Sequence, residues 1–395
     1  MRALEVFFVF LRLGLTSFGG PVAHLGYFRE AFVVRRGWID DAGYADLVAL
    51  CQFLPGPASS QVGFAIGKRR AGLAGGIAAF LGFTAPSFAL MAALALSLAH
   101  LDPALADPWI RGLKIAAVAV VLHAVVGMLQ SLCPDWPRRA FAALMGVIAF
   151  SFAHPLAQIG VVAIGLAAGP FLVRTAPAAP PPAVTKDGRA FALACGAAFI
   201  GLLVGLPILA ARAPDSALAL ADAFFRTGAL VFGGGHVVLP LLEAEMTGSG
   251  WMSASDVLTG YAAAQALPGP LFALSAYLGA AASAGPGGLA GAAIATLAIF
   301  APGLLILLAA EPFWALLRAT PLAQRAVAGA NAAVVGLLAA ALVGPIAQSA
   351  LPRWSDALAA LALYVLLRFA KAPPLAVVAL GAAIGFAFSK VALPF

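Results

Sequence analysis

The chain is short of charge. Only 10% of its 395 residues are Asp, Glu, Lys or Arg, against about a quarter in a soluble domain. A water-facing globular surface is excluded on that ground. Cysteine is scarce too. Cys51, Cys133 and Cys195 stand alone with no CxxC pair, which excludes a disulfide framework or a thiolate metal site and leaves packed thiols. No His, Cys and Glu set has the spacing of a metal centre or an intramembrane protease, and no Walker-type loop occurs. We therefore expect no catalytic residues, no metal and no cofactor: the chain does not read as an enzyme. The short alternating strands of a transmembrane barrel are missing. The formal net charge of +7 does not argue for nucleic acid, because the basic residues sit between apolar runs, where cytoplasmic loops collect Lys and Arg. The N-terminus lacks a short apolar region followed by a small-residue cleavage site, and its first segment carries Arg12, so it does not read as a signal peptide.

What is abundant is apolar. Hydrophobic residues make up 63% of the chain, and its mean hydropathy is +1.01. Apolar runs long enough to cross a bilayer recur along the whole length, so an all-α polytopic membrane protein surrounded by lipid is predicted. The same signature then appears twice. Phe18-Gly19-Gly20-Pro21, Gly37-Trp38 and Gln52-Phe53-Leu54-Pro55-Gly56-Pro57 are matched by Phe232-Gly233-Gly234-Gly235, Gly250-Trp251 and Gln265-Ala266-Leu267-Pro268-Gly269-Pro270. Glycines and prolines that interrupt apolar segments at corresponding places in two halves point to a transporter's binding site.

The organisation follows. Residues 1–174 form a first repeat, the proline-rich stretch 175–188 a linker, and 189–395 a second repeat. Each repeat begins with two broken segments (3–34 and 42–67; 216–247 and 253–282). A long apolar helix comes next, carrying Pro86 in the first half and Pro302 in the second, and further spans follow. An extra span, 190–211, opens the second half and reverses its direction. The charges agree. Arg29, Arg35, Arg36, Lys68, Arg69, Arg70, Arg138, Arg139, Arg174, Lys186 and Arg189 mark one side of the first half, whereas the equivalent second-half loops carry Glu243, Glu245 and Asp256 without Lys or Arg. Two inverted-topology repeats with discontinuous helices are predicted, the basic side being cytoplasmic. Arg111, Lys114 and Arg212 are exceptions on the outer side. Arg35/Arg36 and Lys68–Arg70 share a side only if 42–67 enters and returns. Each arm is then about 11 residues or roughly 16 Å, half of a core about 30 Å thick. Re-entrant hairpins are favoured; a single kinked span is the alternative.

Irregular backbone at membrane depth survives only inside protein or beside a watery cavity. Pro57 and Pro270 suit the first turn of a following helix, as does Pro21. Four helix N-termini then converge, each with free N–H groups and roughly half a positive charge, a combination that binds sulfate- or phosphate-like anions. Ser59, Ser60 and Gln61 add donors after the first tip, and Gln52 and Gln265 precede the two tips alike. Arg12 and Arg226 are a repeat-matched pair inside apolar segments, functional candidates unless they snorkel to headgroups. His24 and His236 do not align and read as capped or solvated. Trp38 and Trp251 read as interface anchors, and Asp40, Asp41 and Asp256 as helix caps. No membrane-embedded carboxylate pair suggests itself; Glu5, Asp222 and Glu311 fall near segment ends.

These motifs, their order and their spacing resemble the chromate ion transporter family in its long-chain, two-domain form. The resemblance implies a bacterial inner-membrane protein that expels chromate. It implies site positions at Phe18, Gly19, Gly20, Pro21, Gln52, Pro55, Gly56 and Pro57, and at Phe232, Gly233, Gly234, Gln265, Pro268, Gly269 and Pro270. Arg12, Arg226 and Ser59 join them from the reading of the residues. Gly235 replaces Pro21 in the second half, so the tips need not be chemically equal. Sulfate, a similar-sized dianion, is the alternative substrate, and an anion channel the alternative mechanism. A homo-oligomer is compatible with all of these.

Overall fold

The architecture was read from a computed structural model that describes residues 1–98, 100, 103–152, 155–173 and 188–390. Of the expected linker only Gly188 falls among them, and Arg174 and Lys186 lie outside. The described residues form helices and turns throughout. Five helices are long and apolar enough to cross a bilayer: Ala58–Leu98, Ala106–Leu132, Arg189–Ala210, Gly288–Ala319 and Pro321–Ala350.

The first half opens with two helical hairpins. Helix α1 (Arg2–Thr16) stops at residues 17–19, and the chain restarts as α2 (Gly20–Phe28), continued by a π turn over Arg29–Val34. Phe10 on α1 stacks on Phe32 at 4.9 Å and meets Phe28 edge-on at 5.6 Å, so the arms lie side by side. Helix α3 (Asp41–Phe53), capped by the Asp40 side chain on the Gly43 N–H, stops at Leu54. Helix α4 (Ala58–Leu98) follows Pro57 and is itself broken at Ala71 and Gly72. A short arm, 58–70, precedes the break and a long arm, 73–98, follows it. Asp46 on α3 pairs with Arg318 at 2.6 Å, and Lys68 on the short arm pairs with Glu311 at 2.6 Å. Both arms therefore return to one segment, 311–318, and the Pro-Gly-Pro hairpin is re-entrant. A single kinked span would have parted Asp46 from Lys68 by the bilayer's thickness.

Arg70 closes this face. It pairs with Glu5 at 3.1 Å and stands 5.0 Å from the centre of the Trp38 ring. The start of the first hairpin, its end and the end of the second thus meet at one basic face.

Helices α5 (Pro103–Leu132), α6 (Trp136–Ser151), α7 (Pro155–Leu172) and α8 (Arg189–Ala210) follow. The second half then repeats the plan. Helix α9 (Ala217–Leu230) breaks at 231–234, and a 3₁₀ turn (Gly235–Val237) leads into α10 (Val238–Gly248). Helix α11 (Ala254–Ala266) breaks at 267–270, and a second 3₁₀ turn (Leu271–Ala273) leads into α12 (Leu274–Ala281). Its closure involves equivalent places. The Trp251 indole N–H donates to the Asp215 carboxylate at 3.1 Å, and the Gly285 N–H donates to the Asp215 carbonyl at 2.8 Å. From there α13 (Gly288–Ala310) runs 23 residues, about 35 Å at 1.5 Å per residue, to reach Glu311 beside Lys68. The two closures therefore lie on opposite faces, and the repeats are inverted.

Helices α14 (Trp314–Ala319), α15 (Pro321–Ala341), α16 (Ala347–Ala350), α17 (Trp354–Arg368) and α18 (Pro374–Lys390) complete the chain. Together with α5, α6 and α7 most of them form a bundle joined at small residues. Gly112 meets Gly381, Gly165 and Gly169 meet Gly329, and Gly146 meets Gly336; such residues let membrane helices approach closely. Two of the three exceptional outer cations are partnered here. Arg111 pairs with fully buried Asp356, and the Lys114 ammonium donates to Ser255.

Two expectations change. Trp251 is only 8% exposed and held by Asp215, and Trp38 stacks on Phe32 at 5.0 Å. Both tryptophans tie hairpin ends together, and buried Trp251 is not a headgroup anchor. Asp40 is a cap, but Asp41 pairs with Arg29 at 2.7 Å, and Ser253 caps α11 while donating its hydroxyl to Asp256.

The hairpin 58–98 folds back on a glycine seam. A Cβ on Gly75 would strike the Gly67 carbonyl and come within 2.7 Å of the Ala71 Cβ. Because that obstacle is backbone, Gly75→Val is expected to prevent native packing. The detergent-extracted variant should elute as aggregate in size-exclusion chromatography. Gly127→Ala, with open space around it, should elute as wild type.

Candidate functional site at the crossed hairpin tips

The breaks of the two halves meet, and they meet crosswise. The Gly56 N–H in the first tip donates to the Val231 carbonyl at 2.8 Å, where the second half's first break begins. The Gly269 N–H in the second tip donates to the Ser17 carbonyl at 3.0 Å, where the first half's first break begins. Ser17 and Val231 are equivalent positions, each one residue before the repeated Phe. Each tip also rests on the opposite half's long helix just past its proline. A Cβ on Gly56 would lie 2.8 Å from the Gly303 Cα, and one on Gly269 would lie 2.8 Å from the Ser87 Oγ. Gly56 (φ +114°) and Gly269 (φ +95°) adopt backbone that side chains resist, in places where side chains do not fit. The first breaks touch as well, Pro21 packing toward Gly235.

Pro55, Gly56 and Pro57, and Pro268, Gly269 and Pro270, are buried at this crossing, with Phe232 buried and Phe18 half-buried beside it. Gly20 and Gly234 both face open space: a Cβ there would find nothing within 4 Å. Gly19 lies exposed in the first break, and Gly233 looks toward the Asn331 amide oxygen. The prolines sit one residue earlier than expected. Pro57 precedes the first helical residue, and its carbonyl accepts the Gln61 N–H at 3.0 Å; Pro270 is extended ahead of Leu271. The two restarts differ. The arm after Pro57 begins as α-helix and leaves the N–H groups of Ala58, Ser59 and Ser60 without an intrahelical partner. After Pro270 the 3₁₀ turn already engages the Ala273 N–H, at 2.9 Å from the Pro270 carbonyl.

The side chains divide unevenly. His24 is fully buried. Its Nε2 is 3.2 Å from the Ser17 carbonyl, so it carries the proton and donates, and Nδ1 then accepts from the Ser59 hydroxyl at 3.4 Å. Gln61, also fully buried, donates its amide to the Pro55 and Gly303 carbonyls at 2.9 and 2.8 Å, binding its own tip to the other half's helix. Gln52, expected at the tip, is exposed, one helix phase away from it. Gln265 is buried, and its amide nitrogen has no partner among the described residues. His236 meets the Tyr261 hydroxyl at 2.7 Å. Among the described residues no three His, Cys, Asp or Glu side chains gather as a metal site.

The matched arginines have different surroundings. Arg226 pairs with Asp222 at 2.9 Å on its own helix and with Glu245 at 2.9 and 3.1 Å across the hairpin. Both carboxylates are buried, so a buried carboxylate pair that the sequence reading did not find exists around Arg226, split across a helix break. Arg12 makes no ion pair among the described residues. It opens into a cleft of about 550 Å³ lined also by Thr16, Tyr27, Glu30, Arg35 and Arg36. Arg35 there holds Glu30 at 2.8 Å, while Phe8 and Ala31 stand near where the second half has carboxylates.

Comparison with known proteins agrees with this two-part plan. No solved structure matches the chain. The chain is 30% identical to a chromate transport protein of Pseudomonas aeruginosa over 75% of its own length and 70% of the relative's. It is 27% identical to a chromate transport protein of Cupriavidus metallidurans over 98% of its own length and 92% of the relative's. An uncharacterised transporter of Methanocaldococcus jannaschii is 27% identical over 86% and 84% of the two lengths. The sequence profile described as chromate transporter matches residues 4–170 and again 218–386. A profile that fits each inverted half in turn shows that this multi-pass membrane protein belongs to the chromate transporter family.

Proposed function

We propose that the chain exports chromate across the bacterial inner membrane as a secondary transporter, the oxyanion binding against the broken-helix ends near the bilayer midplane. The observation that carries this reading is the reciprocal pair of hydrogen bonds from Gly56 to Val231 and from Gly269 to Ser17. Those bonds hold the interrupted segments of both halves at one place, beside the open space at Gly20 and Gly234. Helix starts there offer N–H groups and positive dipole ends to an anion. Arg12, unpaired in its cleft on the basic face, supplies a cation on the side where positive charge marks the cytoplasm. The relatives named for chromate transport support chromate as the anion.

An inside-negative potential favours outward movement of a dianion by about 4.6 kcal/mol at 100 mV, twice the value for one charge. Inverted membrane vesicles give the test, with chromate offered outside and potential and pH gradient imposed separately. Uptake is expected to saturate and to accelerate when the lumen is made positive. Uptake that ignores the potential contradicts potential-driven export, and large single-channel currents contradict a carrier. Competing sulfate in the same vesicles reports how far the site separates the two dianions.

A further inference from the structure

Resting on the oxyanion reading above, we propose that the anion site is one-sided: the first half supplies its hydroxyl groups, and at the equivalent positions the second half supplies backbone and an apolar wall. An inverted repeat with equal halves would present the same groups from both sides of its pseudo-twofold axis. Here the equivalent positions differ in chemistry. Ser17, Ser59, Ser60 and Thr84 in the first half correspond to Val231, Phe272, Ala273 and Phe300 in the second. The four first-half residues are each at most 4% exposed.

Three of the four hydroxyls are unspent. Ser59 is engaged by His24, but Ser17 Oγ, Ser60 Oγ and Thr84 Oγ1 have no hydrogen-bond partner among the described residues. Buried polar atoms are almost always paired, and leaving one bare costs on the order of 1–3 kcal/mol. Three such hydroxyls close to the crossed tips mark a place that is completed by something else. Contacts tie the segments that carry them to one neighbourhood, Ser60 following Ser59 and Thr84 following Phe83 in the chain. Ser17 accepts from Gly269 and His24, the His24 ring lies 5.2 Å from the Phe83 ring, and Gly269 packs on the Phe83 carbonyl and on Ser87. In the second half Ser275 and Thr296 are satisfied by each other at 3.1 Å and Thr259 by the Ser255 carbonyl at 2.9 Å, and a single buried hydroxyl, Thr227 on α9, has no partner among the described residues.

The backbone and the charges point the same way. The restart at Ala58 leaves more amide donors free than the 3₁₀ restart at Leu271. The first hairpin of the second half (216–247) carries Asp222, Glu243 and Glu245 against the single cation Arg226, whereas its counterpart with the turn after it (3–36) carries Arg12, Arg29, Arg35 and Arg36 against Glu5 and Glu30. No carboxylate belongs to the first-half set. The ligand class is a tetrahedral oxyanion of charge minus two, seated off the axis and toward the basic half.

The test compares hydroxyl deletions in the two halves of the full chain. Ser60→Ala and Thr84→Val are measured beside Ser275→Ala and Thr296→Val. Two readouts are taken: the concentration of chromate, sulfate or molybdate that half-saturates vesicle uptake, and the rise in Tm of the detergent-purified protein that each anion produces. Each first-half deletion is expected to raise the half-saturating concentration about tenfold, the loss of one hydrogen bond to a charged group. It should shrink the anion-induced Tm rise while sparing the Tm without anion. The second-half deletions should leave the half-saturating concentration within about twofold of wild type and affect mainly the anion-free Tm. Wild-type affinity in both first-half variants, with wild type itself responding to anion, overturns the one-sided site alone. A wild-type protein that no oxyanion stabilises, and that takes none up, overturns the transport reading beneath it.

Discussion

Gly56→Val is expected to abolish chromate transport, and Gly269→Ala is expected to impair it in a way that a second substitution relieves. The contrast comes from what each glycine touches. At Gly56 the new Cβ would stand 2.8 Å from the Gly303 Cα, where there is no side chain to trim. The residue would also have to keep φ near +114°. Left-handed strain and overpacking together cost roughly 2–5 kcal/mol, and they fall on the Gly56–Val231 hydrogen bond that joins the halves. At Gly269 the obstacle is the Ser87 Oγ, also at 2.8 Å. Ser87→Gly removes it, so Gly269→Ala with Ser87→Gly should recover part of the transport lost by Gly269→Ala alone. No substitution at Gly303 should rescue Gly56→Val. Chromate uptake into vesicles containing equal amounts of each protein decides this. A fully active Gly56→Val protein would show that the tip need not seat on the opposite helix.

The second large effect separates two arginines that occupy the same place in the repeat. Arg12→Ala is expected to leave the fold intact and to lower transport about 10- to 100-fold at low chromate, the loss of a charge-assisted contact with the anion. Arg226→Ala is expected to destabilise the protein by about 3–5 kcal/mol, because it strands the buried Asp222 and Glu245 carboxylates without their cation. The Tm of purified protein distinguishes the two: unchanged for Arg12→Ala, lowered for Arg226→Ala. The triple variant Arg226→Met, Asp222→Asn, Glu245→Gln should regain most of the lost stability, since replacing a whole buried ion cluster is far milder than breaking it. If Arg12→Ala melted early while Arg226→Ala did not, the roles would be reversed.

Much of this arrangement was legible in the sequence, for a physical reason. Lys and Arg gather on one side of a membrane, so Arg35/Arg36 and Lys68–Arg70 were expected to share a face. That favoured 42–67 entering and returning over a single kinked span, and the Asp46 and Lys68 ion pairs decide between them. Interruptions by Gly and Pro are likewise visible because apolar helices rarely carry them at matched positions. What was illegible depends on phase and on distance along the chain. Gln52 precedes the first tip as Gln265 precedes the second, yet Gln52 turns outward and Gln61 does the bracing; a break resets the helical phase, and no periodicity runs through it. Glu245 lies 19 residues from Arg226 across another break, so the pair is invisible to any i,i+4 rule, although Asp222 is in register for one. Trp251 looked like a headgroup anchor because loop-end tryptophans usually are, but Asp215 was 36 positions away along the chain. His24 carried no repeat signal at all, and only its burial between Ser17 and Ser59 brings it into the site.

The crossed amide bonds have a mechanical consequence. Each hairpin hooks onto the half that entered from the other leaflet, like two fingers clasped from above and below. Neither finger can withdraw without tugging its mate, so under the proposed transport reading a single latch would work the inner and outer doors together. A passage open at both ends would require the clasp to fail, so the proposed export of a dianion would not let the membrane potential run down.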